Sequence, residues 1–221
     1  MNSPKAAKLE LLTFQAKRML QGRPGDAEFG LRPIYGLFQF ASLARIIWDD
    51  AALGNPYALW WLVRLTDRQQ SIQLLLDQCQ QTVQTLMDTK NVVPFQPFEP
   101  DRPMPVDLNL KTPYSWQAAR QIKQFDDFCL MAMQVNRVGL MTDREMHTQI
   151  AILNKGLLAL FSEAMLYHSH VLNRSQLQLQ TDVAKAAMKQ MGIVPKAILT
   201  GKLVPAYAPL WQAVGINSPS D

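Results

Sequence analysis

The sequence predicts a mainly α-helical single domain that contains one short β-strand. Apolar residues recur at three- and four-residue spacing along most of the 221 residues, and this is the period of an amphipathic helix. The composition, 48% hydrophobic and 18% charged, is typical of a folded chain rather than a disordered one. Residues 105–111 are the exception to the helical period, because apolar and polar side chains alternate there: Val106, Leu108 and Leu110 against Asp107, Asn109 and Lys111.

The N-terminal part, residues 1–90, is predicted to be helical. Residues 3–20 have a mixed pattern, since the spacing of Leu9 and Leu12 fits a helix whereas Leu9 and Leu11 also fit a short strand. Residues 21–26 are predicted to be a loop because they contain glycine and proline. Two helices are predicted next, over 37–52 and 57–87, separated by Gly54-Asn55-Pro56. The glutamines of the second helix are interpreted as solvated surface.

Five prolines between residues 91 and 105 predict an extended arm, because proline fixes φ and has no N–H to donate. The strand follows, and with the next two helices it is predicted to form a strand-helix-helix core over 106–172. The first helix of this core is predicted over 114–137. The second is predicted to run from Thr142 to about Leu172, since T-D-R-E (142–145) has the form of a capping box, in which Thr142 and Glu145 cap each other.

Residues 173–221 are predicted to form a basic C-terminal part, with a helix over 181–191 that ends at Gly192. The chain has a net charge of only +4, but residues 1–23 and residues 174–202 each carry +4. Positive charge is therefore concentrated toward both ends, where it would attract a polyanion such as DNA. An equally open interpretation is that these lysines solvate exposed helix faces.

No motif of phosphate-loop, dinucleotide-binding, serine-hydrolase or zinc-peptidase type occurs in the chain. His168 and His170 stand two residues apart, so on a helix they would not face one metal ion. Asp126 and Asp127 are adjacent, which suits a solvated acidic edge better than a catalytic pair. We therefore predict no enzyme activity, no catalytic residues, no metal, no cofactor and no small-molecule substrate.

The cellular setting is predicted from equally simple features. Only two cysteines occur, Cys79 and Cys129, each within a helical pattern, which favours buried thiols in a reducing cytoplasm. No apolar run approaches the length of a membrane-spanning helix, and the N-terminus lacks the apolar region of a signal peptide. The protein is therefore predicted to be cytoplasmic, without a membrane partner.

The lone strand before two helices favours an elaborated ribbon-helix-helix, in which the strands of two chains pair across a dimer and enter the DNA major groove. Asn109 would then bond adenine, Lys111 guanine or phosphate, and Asp107 the amino group of cytosine. The N-terminus of the second helix, at Thr142, would hold a phosphate with the help of Arg144. The alternative is that 105–111 is an ordinary sheet edge.

Several stretches of the chain resemble a known family. They are GLFQFASLARIIWDDA (36–51), NPYALWWLVRL (55–65), AARQIKQFDD (118–127), MGIVPKAILTG (191–201) and AYAP (206–209). These framework positions resemble the AcaB-like transcriptional regulators carried by conjugative plasmids and integrating conjugative elements. The resemblance implies a DNA-binding regulator of ribbon-helix-helix type that activates conjugative transfer genes.

The sequence as a whole thus predicts a homodimer that binds double-stranded DNA and regulates genes of a mobile element. Two other functions remain open at this stage. The chain could be a DNA-binding accessory protein of the conjugation machinery, or a helical scaffold that binds only protein.

Overall fold

The computed structural model describes residues 7–26, 28–31, 33–89 and 104–209 and is mainly helical. The helices are α1 (Phe14–Gln21), α2 (Leu37–Ala52), α3 (Pro56–Thr89), α4 (Pro113–Arg137), α5 (Asp143–Met165), α6 (Arg174–Gln178), α7 (Asp182–Met191) and α8 (Lys196–Leu199). The strands are β1 (Ala7–Leu11), β2 (Gly22–Arg23), β3 (Ile34–Tyr35) and β4 (Met104–Leu108). The predicted arm at 91–105 lies outside the described residues except for its last two, which begin β4.

The turn between α2 and α3 is fixed by local chemistry. Gly54 has a φ of +79°, a conformation that L side chains rarely adopt, and it ends α2. Asn55 then caps α3, since its Oδ1 accepts from the N–H groups of Tyr57 (2.9 Å) and Ala58 (3.4 Å). Pro56 occupies the first position of α3, where a missing N–H costs nothing. The break predicted at Gly54-Asn55-Pro56 is confirmed.

The core surrounds α3, which packs against α2, α4 and α5. α2 faces α3 and α5 with a stripe at helical spacing, formed by Phe40, Ala44 and Ile47, all fully buried. The ring of Phe40 meets that of Phe161 on α5 at a centroid distance of 5.3 Å. Burial of these apolar side chains, worth roughly 1.5–3 kcal/mol for each large one, holds the four helices together.

The strand predicted at 105–111 exists as β4, but it pairs within its own chain. β1 and β4 are antiparallel, with Lys8 opposite Asp107 and Leu9 opposite Val106. The predicted ribbon-helix-helix, in which strands of two chains pair across a dimer, is therefore wrong. The N-terminal residues supply the missing strand, and the eight helices of the described residues make the fold larger than that motif.

The helices after β4 begin where the sequence predicts. Thr112 caps α4 by accepting from the N–H of Ser115. The capping box at the start of α5 is confirmed, because Glu145 N–H donates to Thr142 Oγ1 while Thr142 N–H donates to a Glu145 carboxylate oxygen (2.8 Å). α5 is shorter than predicted, ending at Met165 rather than near Leu172.

A buried carboxylate fastens the N-terminal segment to α4. Asp126 is fully buried and accepts from Thr13 N–H (2.7 Å), Thr13 Oγ1 (2.7 Å) and Leu12 N–H (3.0 Å). The prediction that Asp126 belongs to a solvated acidic edge is wrong, because its carboxylate is buried and the donors that replace water come from Leu12 and Thr13. Asp127, the next residue, is exposed as predicted. Through Asp126, the junction between β1 and α1 has a fixed position on α4.

None of the helices in the described part of the chain has the length and apolar character needed to cross a membrane.

Candidate nucleic-acid interface

The β1–β4 ribbon has one apolar and one polar face. Leu9, Leu11 and Leu108 are buried, whereas Lys8, Glu10 and Asp107 are exposed on the opposite side. Because Lys8 lies directly opposite Asp107, charges of both signs meet on this face. The polar face of the ribbon is therefore mixed in charge rather than cationic.

Three of the five residues predicted to contact DNA lie together at the end of the ribbon. Asp107, Asn109 and Lys111 are exposed and line one side of a shallow cavity of about 340 Å³. The other side is formed by α2, through Phe38, Ala41, Ser42 and Arg45. The side chain of Phe38 is 39% exposed at this position. The cavity thus combines an amide, a carboxylate, two cationic side chains (Lys111 and Arg45) and an exposed aromatic ring.

The loop that carries these residues is held at both ends. β4 precedes it, and Leu110 is buried within it. The carbonyl oxygen of Leu110 accepts a hydrogen bond from Trp116 Nε1 at 3.1 Å, and Thr112 then caps α4. Asn109 and Lys111 are therefore presented to solvent from an anchored loop, which lowers the entropy cost of contacting a partner.

Arg45 on α2 belongs to this cavity but was not predicted. Its Nε donates to Asp49 Oδ2 at 2.7 Å, and both side chains are about half exposed. A pair with this exposure is worth roughly 0–1 kcal/mol, so the guanidinium can exchange the carboxylate for another anion at little cost. The sequence identified the buried stripe of α2 but gave no sign that its opposite face meets the loop after β4.

Thr142 and Arg144 do not line this cavity. Both are exposed at the N-terminus of α5. The capping box occupies the N–H groups of Thr142 and Glu145, and the carboxylates of Asp143 and Glu145 stand in the first turn. These two carboxylates counteract the attraction of the helix N-terminus for a phosphate, so any phosphate contact here depends on the Arg144 guanidinium.

The C-terminal part presents lysines on an exposed helix face. α7 buries Ala184, Ala187 and Met191, which places Lys185 and Lys189 side by side on its outer face. Lys196 and Lys202 follow and are also exposed. Lys185 Nζ lies 3.7 Å from Asp182, the acidic residue of α7. The C-terminal part thus exposes four lysines, Lys185, Lys189, Lys196 and Lys202, of which the first two share one helix face.

Two thiols and one phenol of the interior lack the lowered pKa that a nucleophilic side chain needs. Burial raises the pKa of the Cys129 thiol to about 12, and it also raises the pKa of the half-buried Cys79. Burial likewise raises the pKa of the Tyr114 phenol to about 12. A catalytic thiol needs a lowered pKa, so these shifts run in the opposite direction.

A family model described as "Transcriptional regulator AcaB" matches residues 4–212, nearly the whole chain. The chain belongs to the AcaB family. Members of the AcaB family are transcriptional regulators and not enzymes, so regulation of transcription is the role of this chain.

The AcaB-like fold is also found among solved structures. The crystal structure of selenomethionine-containing AcaB from uropathogenic E. coli superimposes on this chain with a TM-score of 0.60. The two sequences are 13% identical, and the match covers 89% of this chain and 96% of the other. At this identity the likeness establishes the fold alone. A comparison with curated protein sequences gave no match.

Proposed function

We propose that this AcaB-family chain regulates transcription by binding specific double-stranded DNA sites in the cytoplasm as a homodimer. We further propose that it activates conjugative transfer genes of a mobile element, which the sequence resemblance supports. The observation that carries the DNA-binding proposal is the set of exposed C-terminal lysines Lys185, Lys189, Lys196 and Lys202. Four exposed lysines within eighteen residues, beside one aspartate, match the charge of a phosphate backbone.

Base recognition is assigned to the cavity at the end of the ribbon. Asn109 has the amide that suits adenine, Lys111 suits guanine or phosphate, and Asp107 would accept from the amino group of cytosine. Because the ribbon is formed within one chain, each subunit of a homodimer would carry a complete set of these residues. Arg144, next to Thr142, is assigned a phosphate contact.

The decisive experiment is a comparison of DNA-binding affinities by fluorescence anisotropy at two salt concentrations. The duplex should come from a site that is located in cells by immunoprecipitation of the tagged chain, with a scrambled duplex as reference. Lys189→Ala is expected to weaken binding to both duplexes alike and to reduce the salt slope by about one unit. Lys155→Ala, which removes an exposed lysine of α5, is the matched control and should leave both affinities unchanged.

Asn109→Ala tests the assignment of base recognition. Its expected effect is a loss of about 1–3 kcal/mol on the specific duplex and little change on the scrambled one. Equal losses on both duplexes would exclude Asn109 as a base-reading residue. Bound sites at promoters would support transcriptional control of transfer genes, whereas sites confined to a transfer origin would indicate the accessory role in conjugation. Absence of DNA binding at low salt would favour the remaining alternative, a helical scaffold that binds only protein.

A further inference from the structure

A second cavity lies between α1, the β2–β3 pair and the N-terminal half of α5. Its volume is about 340 Å³, within the roughly 300–1,000 Å³ of small-molecule sites. It is distinct from the cavity at the end of the β1–β4 ribbon, since the two have no lining residue in common. Its lining consists of Phe14, Gln15, Arg18, Met19, Gly22, Arg23, Ile34, His147, Ile150, Ala151, Asn154 and Leu158.

The backbone of β2 and β3 fixes the shape of the cavity wall that these strands form. Gly22 has a φ of +70°, and a Cβ at this position would collide with the carbonyl oxygen of Ile34. The close approach of these two strands therefore requires glycine, and it brings Ile34 to the cavity. Met19 from α1 and Ile150 from α5 are nearly buried and form an apolar floor.

Positively charged side chains lie in the polar lining of this cavity. Arg18 and Arg23 contribute guanidinium groups, and among the described residues neither an aspartate nor a glutamate lines the space. Arg18 lies over the ring of Phe14, with 5.7 Å between the guanidinium carbon and the ring centroid. That ring is 70% exposed and adds apolar surface to the lining of the cavity.

His147 adds a directed polar atom to the cavity. Its Nδ1 lies 2.7 Å from the carbonyl oxygen of Asp143, one turn earlier on α5. Because a carbonyl oxygen only accepts, Nδ1 carries the proton and donates it, which fixes the ring and leaves Nε2 as an acceptor. Asn154, about two turns further on, supplies an amide that can donate to a ligand in the same space.

We propose that this cavity binds a small anionic amphiphile, namely a carboxylate with an aromatic or aliphatic body. The body would lie on Met19 and Ile150 against the exposed ring of Phe14, and the anion would meet the Arg18 guanidinium and the Asn154 amide. Fatty acids and aromatic acids share this chemistry. The role of this cavity as an effector site rests on the proposed function, because it requires that the chain binds DNA. Ligand binding itself does not depend on the proposed function.

The position of the cavity suits an effector. α1 begins two residues after β1 ends, and Asp126 holds the junction between them. A ligand that contacts both α1 and α5 would therefore act on the segment that joins α1 to β1, and β1 is the partner strand of β4. Such a ligand changes the affinity for DNA only if it binds the DNA-competent arrangement with a different affinity.

Binding is tested on the full chain without DNA, by following ¹⁵N amide shifts during titration with 1-naphthoate, decanoate and the neutral 1-naphthamide. We expect saturable shifts for the amides of residues 14–23 and 147–158 with both carboxylates. Loss of a charged hydrogen bond costs about 1.5–3 kcal/mol, so 1-naphthamide is expected to bind about ten- to a hundredfold more weakly than 1-naphthoate. Arg18→Gln should weaken 1-naphthoate to a similar degree.

Ala151→Trp provides the steric test. Ala151 is exposed and lines the cavity, so a large side chain there would fill the space without removing core contacts. Ala186→Trp, on the exposed face of α7, is the matched control. We expect Ala151→Trp to abolish 1-naphthoate binding and Ala186→Trp to retain it, with unchanged amide spectra elsewhere verifying the fold of both.

Equal affinity of Ala151→Trp and wild type would overturn the proposal, as would shifts confined to other regions or equal affinities for 1-naphthoate and 1-naphthamide. If the wild-type chain binds 1-naphthoate but no DNA, the proposed function is rejected and the ligand-binding proposal stands.

Discussion

At the scale of single residues, the carboxylate of Asp126 makes contacts that could not be inferred from its position in the sequence. It is buried, receives hydrogen bonds from Leu12 and Thr13, and lies 3.6 Å from Lys123 Nζ. An ionised carboxylate is stable in such a place only because several donors replace the water it has lost. The N-terminal segment therefore supplies the donors that Asp126 needs.

Asp126→Asn is expected to lower the free energy of unfolding by about 1–3 kcal/mol, because the amide NH₂ would face backbone N–H donors and leave one of them unpaired. Asp127→Asn is the matched control, since Asp127 is half exposed and its bond to Lys123 (2.6 Å) is worth roughly 0–1 kcal/mol. Urea unfolding at neutral pH measures both. Similar losses in the two variants would contradict this account of Asp126.

The two thiols should differ in reactivity. At pH 8 a thiol of pKa about 12 is ionised in roughly one molecule in ten thousand, and Cys129 is also buried. We expect a disulfide reagent to modify only the half-buried Cys79 in the native protein, and slowly, because burial raises its pKa as well. Cys129 should react only after unfolding. A Cys79→Ser variant that still reacts in the native state would contradict this order.

At the scale of elements, α3 and α4 are joined by side-chain amides as well as by apolar packing. Gln69 Nε2 donates to the carbonyl oxygen of Tyr114 at 2.7 Å, and Gln121 Nε2 donates to that of Gln69 at 2.7 Å. Both glutamines are fully buried. The interpretation of the α3 glutamines as solvated surface is therefore wrong for Gln69, whereas its neighbour Gln70 is exposed as predicted.

Gln69→Ala is expected to cost about 1–3 kcal/mol of stability, since it removes a buried hydrogen bond to the Tyr114 carbonyl and opens a gap between two helices. The adjacent Gln70→Ala removes the same side chain from an exposed position and should change stability by less than about 0.5 kcal/mol. Thermal and urea unfolding of the two variants would test the assignment, and equal stabilities would count against it.

The sequence predicted elements better than it predicted their partners. α2, α3, α4 and α7 were anticipated because their apolar stripes repeat locally, and the start of α5 because capping is local chemistry. Periodicity also separated the two faces of β4 but could not identify β1 as its partner. In the same way, Asp107, Asn109 and Lys111 could be grouped from sequence, whereas Arg45 joins them only through the packing of α2.

At the scale of the whole molecule, the β1–β4 ribbon joins the start of the chain to its middle. Lys8 and Asp107 face each other directly, and their Cα separation in an antiparallel pair is about 4.5–5.5 Å, within the range of a disulfide. The double variant Lys8→Cys with Asp107→Cys should therefore form a disulfide within one chain under oxidation.

Non-reducing electrophoresis checks this expectation, because a disulfide that closes the loop between residues 8 and 107 makes the denatured monomer migrate faster than its reduced form. Glu10→Cys with Asp107→Cys is the matched control, since Glu10 lies diagonally from Asp107 on the same face, where separations are about 7–8 Å. The control pair should remain reduced. Covalent dimers formed by Lys8→Cys with Asp107→Cys would show that the strands exchange between chains.

The same ribbon imposes an order on biosynthesis. Ribosomes add about 5–20 residues per second, so β4, about ninety residues after β1, is translated roughly 5–18 seconds later. During that interval β1 has no partner strand, and Asp126, which accepts hydrogen bonds from Leu12 and Thr13, has not yet been made. Slow codons placed between β1 and β4 would lengthen the time for which the nascent β1 stays unpaired.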